Sequence, residues 1–393
     1  MRKSLYLVIA FATLVMMASC SKTDVELCYT DEHPHAATAQ FSHNWGSAKT
    51  YPDTMFVIAN RYINSLKYGI KVNSSNGYGY FTYNEDVEAD AETDAAYANE
   101  FKLHAGDYKF MSFNMDTCNY DYASVHDYLA DPVNDVRYHE VSVSYKAFEL
   151  GDPSFNTIDK DWHDYNSYSQ YIQSDVSPIY VGKIDAGKLL NKGKSTFTFT
   201  PGAITQRIEM GFYIRKVGST TFSVDSVKAE MSGIPHKIDL QTGYLGVEKT
   251  YKKMFKVSLQ NQSGGRLKAN NYDEKLVYGK GYIDVTGIVG NDTPSMTIGP
   301  GIMQVVVYIH SVDKKTGVKY YDKVFGKINL YNTIQNAKLT TYTEDGEHLK
   351  RTSRSGKLIV KDYLNIDGKT IVETPGDNGI DKWTFSGDIF VDI

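Results

Sequence analysis

The 393-residue chain carries 42 Lys+Arg against 47 Asp+Glu, a formal net charge of −5, and is 41% hydrophobic. That hydrophobic content supports packed cores and excludes a disordered chain, and the lack of a basic excess argues against nucleic-acid binding. The charge is uneven: residues 1–239 hold 21 basic and 30 acidic residues, residues 240–393 hold 21 and 17, so two distinct surfaces are expected.

Arg2 and Lys3 open the chain, and an apolar stretch from Leu5 to Ala18 runs into "MASC" (17–20). Those 14 residues fall short of the roughly 20 that a membrane-spanning helix needs, and have the length and flanks of a secretory signal. Ala18 and Ser19 directly before Cys20 match a lipoprotein signal. Residues 1–19 would then be removed, Cys20 would carry the lipid (palmitate among its acyl chains), and 20–28 would form a lipidated tether. The competing reading is a plain signal peptide with a chance cysteine.

Residues 28–36 read "CYTDEHPHA" and gather Cys28, Asp31, Glu32, His33 and His35, all metal-ligand types. A closed zinc site draws about four ligands, usually from well-separated segments. Pro34 holds the backbone extended between the two histidines. The simpler reading is the start of a fold, with no metal and no cofactor. Export would allow Cys28 to pair with Cys118; two unpaired thiols are the alternative.

Further along, period-2 alternation in short runs predicts a mostly β chain. Asn76-Gly77, Asp345-Gly346 and Asp367-Gly368 are hairpin-type dipeptides. Residues 84–100 carry seven acids and no base and read as a solvated loop or short helix. "DYASVHDYLA" (121–130) predicts a short helix using Tyr122, Val125 and Leu129. The segment 159–175, with Trp162, Tyr165, Tyr168 and Tyr171, reads as an exposed aromatic excursion able to bind glycan or protein, or as ordinary strand tyrosines.

In "STFTFT" (195–200) Phe197 and Phe199 share a face. In "RIEMGFYI" (207–214) Ile208, Met210, Phe212 and Ile214 point one way and Arg207, Glu209 and Tyr213 the other. "MQVVVYI" (303–309) puts Met303, Val305, Val307 and Ile309 on one side, and 385–393 alternates likewise through Phe385, Ile389, Val391 and Ile393. A domain join is expected near 229–243, giving β-sandwich domains over 29–235 and 236–393.

No enzyme pattern emerges. There is no G-x-S-x-G elbow and no H-E-x-x-H, since His139-Glu140 lacks a second histidine. "GKLLNKGKS" (187–195) has five residues between its glycines where a phosphate loop has four, and precedes a strand rather than a helix.

Three segments, 27–45, 101–117 and 229–243, resemble Bacteroidetes fimbrillin-like outer-membrane lipoproteins, a little-characterised group related to fimbrial anchors of the FimB type. The family's first strand ending in Trp is matched by "AQFSHNW" (39–45). Its "L-P-x-G-x-Y … N-x-D-T" is matched by Leu103 to Tyr108 and Asn114 to Thr117, with His104-Ala105 in the turn where the family has Pro. The resemblance implies two tandem transthyretin-like Greek-key sandwiches displayed at the cell surface. It also implies a non-enzymatic role as fimbrial anchor, accessory or adhesin.

Polymerising relatives exchange strands after cleavage at an arginine. Arg61 is the only arginine between Cys20 and Asp135, so either it is that site or the chain keeps its lipid. The C-terminal strand 385–393 is a candidate for exchange with fimbrial subunits. A surface glycan-binding lipoprotein of a nutrient-uptake system is the rival function.

Overall fold

The computed structural model describes residues 36–368 and 383–385, apart from 64, 86–96, 131–135, 154–164, 174–175, 191–192, 219–220, 262–275, 292–297 and 353–354. The signal, tether, Cys28 and the "CYTDEHPHA" histidines lie outside the described residues, as do Trp162 and 386–393.

The chain is mostly β. The first strands are β1 (Ala36–His43), β2 (Thr54–Arg61), β3 (Lys67–Asn73), β4 (Gly79–Asn84), β5 (Phe101–His104) and β6 (Gly106–Phe113). Then come β7 (Tyr120–Asp121), helix α1 (Ala123–Ala130), β8 (Ser142–Tyr145), β9 (Tyr171–Ile172), β10 (Tyr180–Leu189), β11 (Lys194–Phe199) and β12 (Gly202–Ala203). The remainder comprises β13 (Gln206–Lys216), β14 (Phe222–Asp239), β15 (Leu245–Asn261), β16 (Leu276–Val285), β17 (Ile302–Val312) and β18 (Lys319–Asn329). Helix α2 (Tyr331–Ala337), β19 (Thr340–Tyr342), β20 (Leu349–Arg351), β21 (Ser355–Ile366) and β22 (Trp383–Phe385) complete it.

Two sheets make the first sandwich: β11-β1-β5, with β1 parallel to β11, and β12-β10-β6-β2-β3-β4. Its core is aromatic. Phe41 meets Phe101, Phe110, Phe197 and Phe199 at centroid distances of 5.6, 5.6, 6.1 and 6.1 Å. Asn76-Gly77 turns β3 into β4 as expected, with Gly77 at φ +74° and its N–H on the Asn73 carbonyl.

The second unit is one long sheet, β21-β13-β16-β15-β14-β17-β18-β22, folded on itself. β15 makes the corner: Leu245 to Lys256 pairs with β14, whereas Val257 to Asn261 pairs with β16. The alternations read from sequence hold here. Ile208, Met210, Phe212 and Ile214 are fully buried, as are Met303, Val305 and Val307, with Ile309 close behind. Helix α1 buries Val125, Tyr128 and Leu129.

β2 does not alternate. Its run "MFVIA" is buried on both faces: Met55, Val57 and Ala59 enter the aromatic core, while Phe56 and Ile58 enter the core of the second unit beside Phe113, Tyr122, Val125 and Leu129. A strand with no solvent face reads as a continuous apolar run. The six-stranded sheet is therefore a shared wall between the two cores.

The expected join at 235/236 needs correction, because β14 runs unbroken through it. Strands β13 and β14 belong to the second sheet, and sheet membership changes between β12 and β13. Residues 120–172 also cross over, since β8 pairs with β14 and β9 with β15. The shift in charge near 239 marks a change of surface; it carries no information about hydrogen-bonded pairing.

Candidate functional site

Arg61 closes β2 over the turn between β5 and β6. Its Nη2 donates to the Ala105 carbonyl at 2.7 Å, and Gly106 at φ +148° leaves the space it needs: a Cβ there would lie 2.8 Å from Arg61 Nε. The motif "LHAGDY" thus forms a turn that seats a guanidinium. The bond after Arg61 enters an exposed bend, with Tyr62 51% and Ile63 63% exposed. Upstream of it, however, lie both β1, paired on each side by β11 and β5, and β2, paired on each side by β6 and β3.

The aromatic excursion is not a uniformly exposed surface. Tyr171 is 3% exposed and donates through its hydroxyl to Glu230 Oε2 at 2.7 Å. Tyr168 is half-buried against the Phe148–Tyr171 pair. The reason is β9, which docks parallel to β15 and pulls the end of the segment inward. Only the backbone of Tyr165 is described, in a short 3-10 helix that begins there. Burial pushes the Glu230 carboxyl upward, opposed by the Lys252 ammonium and then by the Tyr171 hydrogen bond.

Cys118 is exposed and unbridged among the described residues. The described residues also hold no group of three or more His, Cys, Asp or Glu able to bind a metal ion, and no helix long and apolar enough to cross a membrane. At the far edge, β22 pairs among the described residues with Gly326 to Ile328 of β18, and Tyr320 and Tyr321 at the other end of β18 are 58% and 72% exposed.

A built surface lies on the outside of β21-β13-β16. The residues of β13 that alternate away from the core are Arg207, Glu209, Gly211, Tyr213 and Arg215, facing Tyr282, Lys280 and Tyr278 of β16 and Lys357, Ile359 and Tyr363 of β21. Arg215 stacks over Tyr363 at 3.6 Å and Arg207 over Tyr282 at 4.9 Å; Tyr213 lies 4.9 Å from Tyr278 and 5.9 Å from Tyr363. Glu209 is set among Lys280 at 3.0 Å, the Tyr282 hydroxyl at 3.4 Å and Lys357 at 3.8 Å. The Lys280 hydrogen bond holds the Glu209 carboxyl below its ordinary value, while hydrogen bonds to Tyr282 and then Glu209 hold Lys280 above its own.

Gly211 matters to this layer. A Cβ at that position would meet the Tyr278 hydroxyl at 2.3 Å and Ile359 Cδ1 at 2.6 Å, so the glycine lets the ring lie across the strand. Alternation along β13 already sent Arg207, Glu209 and Tyr213 outward. The partners from β16 and β21 follow from strand pairing, and outward-facing aromatics in those strands were the only sequence signal for them.

No family model matches the chain, and no curated protein matches it. Solved structures do. The chain is similar to a candidate adhesin from Bacteroides ovatus (TM-score 0.40, 11% identity, 88% of this chain and 94% of that one). It is similar to a candidate polysaccharide-binding protein from Bacteroides thetaiotaomicron (0.40, 13%, 82% and 89%). It is also similar to the fimbrial anchor protein Mfa2 from Porphyromonas gingivalis (0.32, 11%, 73% and 81%).

Proposed function

We propose that this chain is a surface-exposed outer-membrane lipoprotein, tethered through Cys20, that serves as a non-enzymatic fimbrial anchor, accessory or adhesin subunit. The observation that carries this reading is the locking of the first two strands. Exchange of a strand between subunits requires one to leave its sheet. Cleavage after Arg61 would detach β1 and β2 together, removing Phe41 from four ring neighbours and β2 from the wall between the cores. Loss of a single buried Phe costs about 3–5 kcal/mol, so loss of both strands would unfold the unit. A chain kept whole and still joined to its lipid suits an anchor or stand-alone subunit better than a polymerising one.

The test is the mature N-terminus of cell-surface material by mass spectrometry, with palmitate labelling of wild type and Cys20→Ser. Lipidated Cys20 as first residue, and label lost in the variant, is the expected result. An N-terminus at Tyr62 overturns it. Co-purification with fibre subunits from membranes then separates an anchor from a stand-alone protein. The rival reading, surface glycan binding, is favoured by one observation, the tyrosine-paved face of β13 and its neighbours.

A further inference from the structure

We propose that the outer face of β21-β13-β16-β15 is a binding site for an acidic polysaccharide; the choice of ligand rests on the cell-surface reading above. The face is fixed by the core behind it. Ile208, Met210, Phe212 and Ile214 of β13, Val277 and Ile283 of β16, and Leu358 and Val360 of β21 are buried, which leaves their neighbours no direction but outward. On β15 the same logic turns Lys256 away from buried Phe255.

The chemistry of this face points to one class of ligand. Arg207, Arg215, Lys256, Lys280 and Lys357 bring five positive charges, while Glu209 and Asp284 bring two negative ones, so the face attracts a polyanion. Four tyrosines, 213, 278, 282 and 363, supply ring faces on which the C–H face of a sugar can stack, and their hydroxyls can trade hydrogen bonds with sugar hydroxyls. Guanidinium forks donate two parallel hydrogen bonds to the carboxylate of a uronic acid or to a sulfate.

The layer is also preorganised. Stacking of Arg215 on Tyr363 and the fit of Tyr278 over Gly211 hold these groups in place before any ligand arrives. The surface is a strip running across parallel and antiparallel strands, which suits an extended chain better than a compact molecule. Single-stranded nucleic acid shares the requirement for cations and stacking rings; the cell-surface location decides for glycan.

The experiment measures equilibrium binding of the purified full chain to polygalacturonate and chondroitin sulfate, with dextran as neutral polymer and single-stranded DNA as rival polyanion. Both acidic glycans should bind at least about tenfold more tightly than dextran, and binding should weaken by about tenfold or more between roughly 0.05 and 0.5 M salt. Lys256→Gln with Lys357→Gln changes two exposed side chains and should lower affinity about tenfold without moving the melting temperature. Tyr282→Ala, 44% exposed, should do likewise through lost stacking.

Wild-type affinity in both variants overturns the site, as does equal binding of dextran or tighter binding of DNA. If the chain proves not to be at the cell surface yet binds acidic glycan through these residues, the function proposed above fails and the site stands. A surface-exposed chain that binds neither glycan leaves that function in place and removes the site.

Discussion

The two cores solve the same packing problem with different side chains. The first is built on rings: Phe41 meets Phe101, Phe110, Phe197 and Phe199, Phe110 meets Phe197, and two glycines make room for them. A Cβ at Gly187 would lie 2.5 Å from the Phe110 ring and one at Gly182 would lie 2.9 Å from Phe199. The second is built chiefly on Ile, Val and Leu, most of them from long alternating strands. Rings that each meet several neighbours concentrate stability in a few residues, whereas many aliphatic contacts spread it. The first unit should therefore be the more brittle.

Phe110→Ala is expected to have the largest effect, about 3–5 kcal/mol, against about 0.5–1.5 kcal/mol for Ile208→Val in the second core. Denaturant unfolding followed by near-ultraviolet circular dichroism would compare them. If the shared wall couples the cores fully, the Phe110 variant still unfolds in one transition; two transitions would show that the second core stands alone. Next comes Gly187→Ala, whose methyl must displace the Phe110 ring, at about 1–3 kcal/mol. A melting temperature unchanged by this substitution would contradict the ring-over-glycine packing.

In the second unit, Tyr171→Phe removes the hydroxyl donor to buried Glu230 and should cost about 1–3 kcal/mol. A variant as stable as wild type would return Tyr171 to the exposed reading.

The two regions also differ in their response to pH. His43, half-buried beside Ser112 and stacked on Phe199, has its pKa lowered from 6.5 to about 4 by burial. Its contribution is therefore present above about pH 6.5 and lost as pH falls towards 4. Asp239, at the β14–β15 turn, is raised from 3.8 to about 6 by burial, so its contribution is present below pH 3.8 and lost as pH rises through 6. His43→Phe should flatten the acid side of the stability curve and Asp239→Asn the side between pH 4 and 6. Urea unfolding across pH 4 to 7 would read both, and identical curves for either variant and wild type would refute its assignment. The smallest effect is expected at the exposed Lys194–Glu100 pair, where Lys194→Gln should shift stability by less than about 0.5 kcal/mol in the same assay.

Much of this was legible in the chain. Alternation in 207–214 and 303–309, the Asn76-Gly77 turn and the helix with Tyr122, Val125 and Leu129 inside are local signals, because side-chain period and turn conformation are set within a few residues. The domain join was misread because strand pairing is not local, and the exposed reading of 159–175 fails at Tyr171 because Tyr171 and Ile172 add a strand to β15. The outer face was half-legible: the direction of Arg207, Glu209 and Tyr213 could be read, but not their neighbours.

What the sequence determined by itself was the β character, the faces of the central strands and the drift in charge from an acidic to a mildly basic part of the chain. Only the tertiary structure decided that β1 lies parallel to β11 and that Arg61 caps the β5–β6 turn. It alone decided that β2 divides two cores and that tyrosines from three strands share one basic layer. Periodicity records which side of a strand meets the core, a property of neighbours in the chain. Which strands meet one another depends on contacts between segments more than a hundred residues apart, as for Phe41 and Phe197, and no local pattern encodes them.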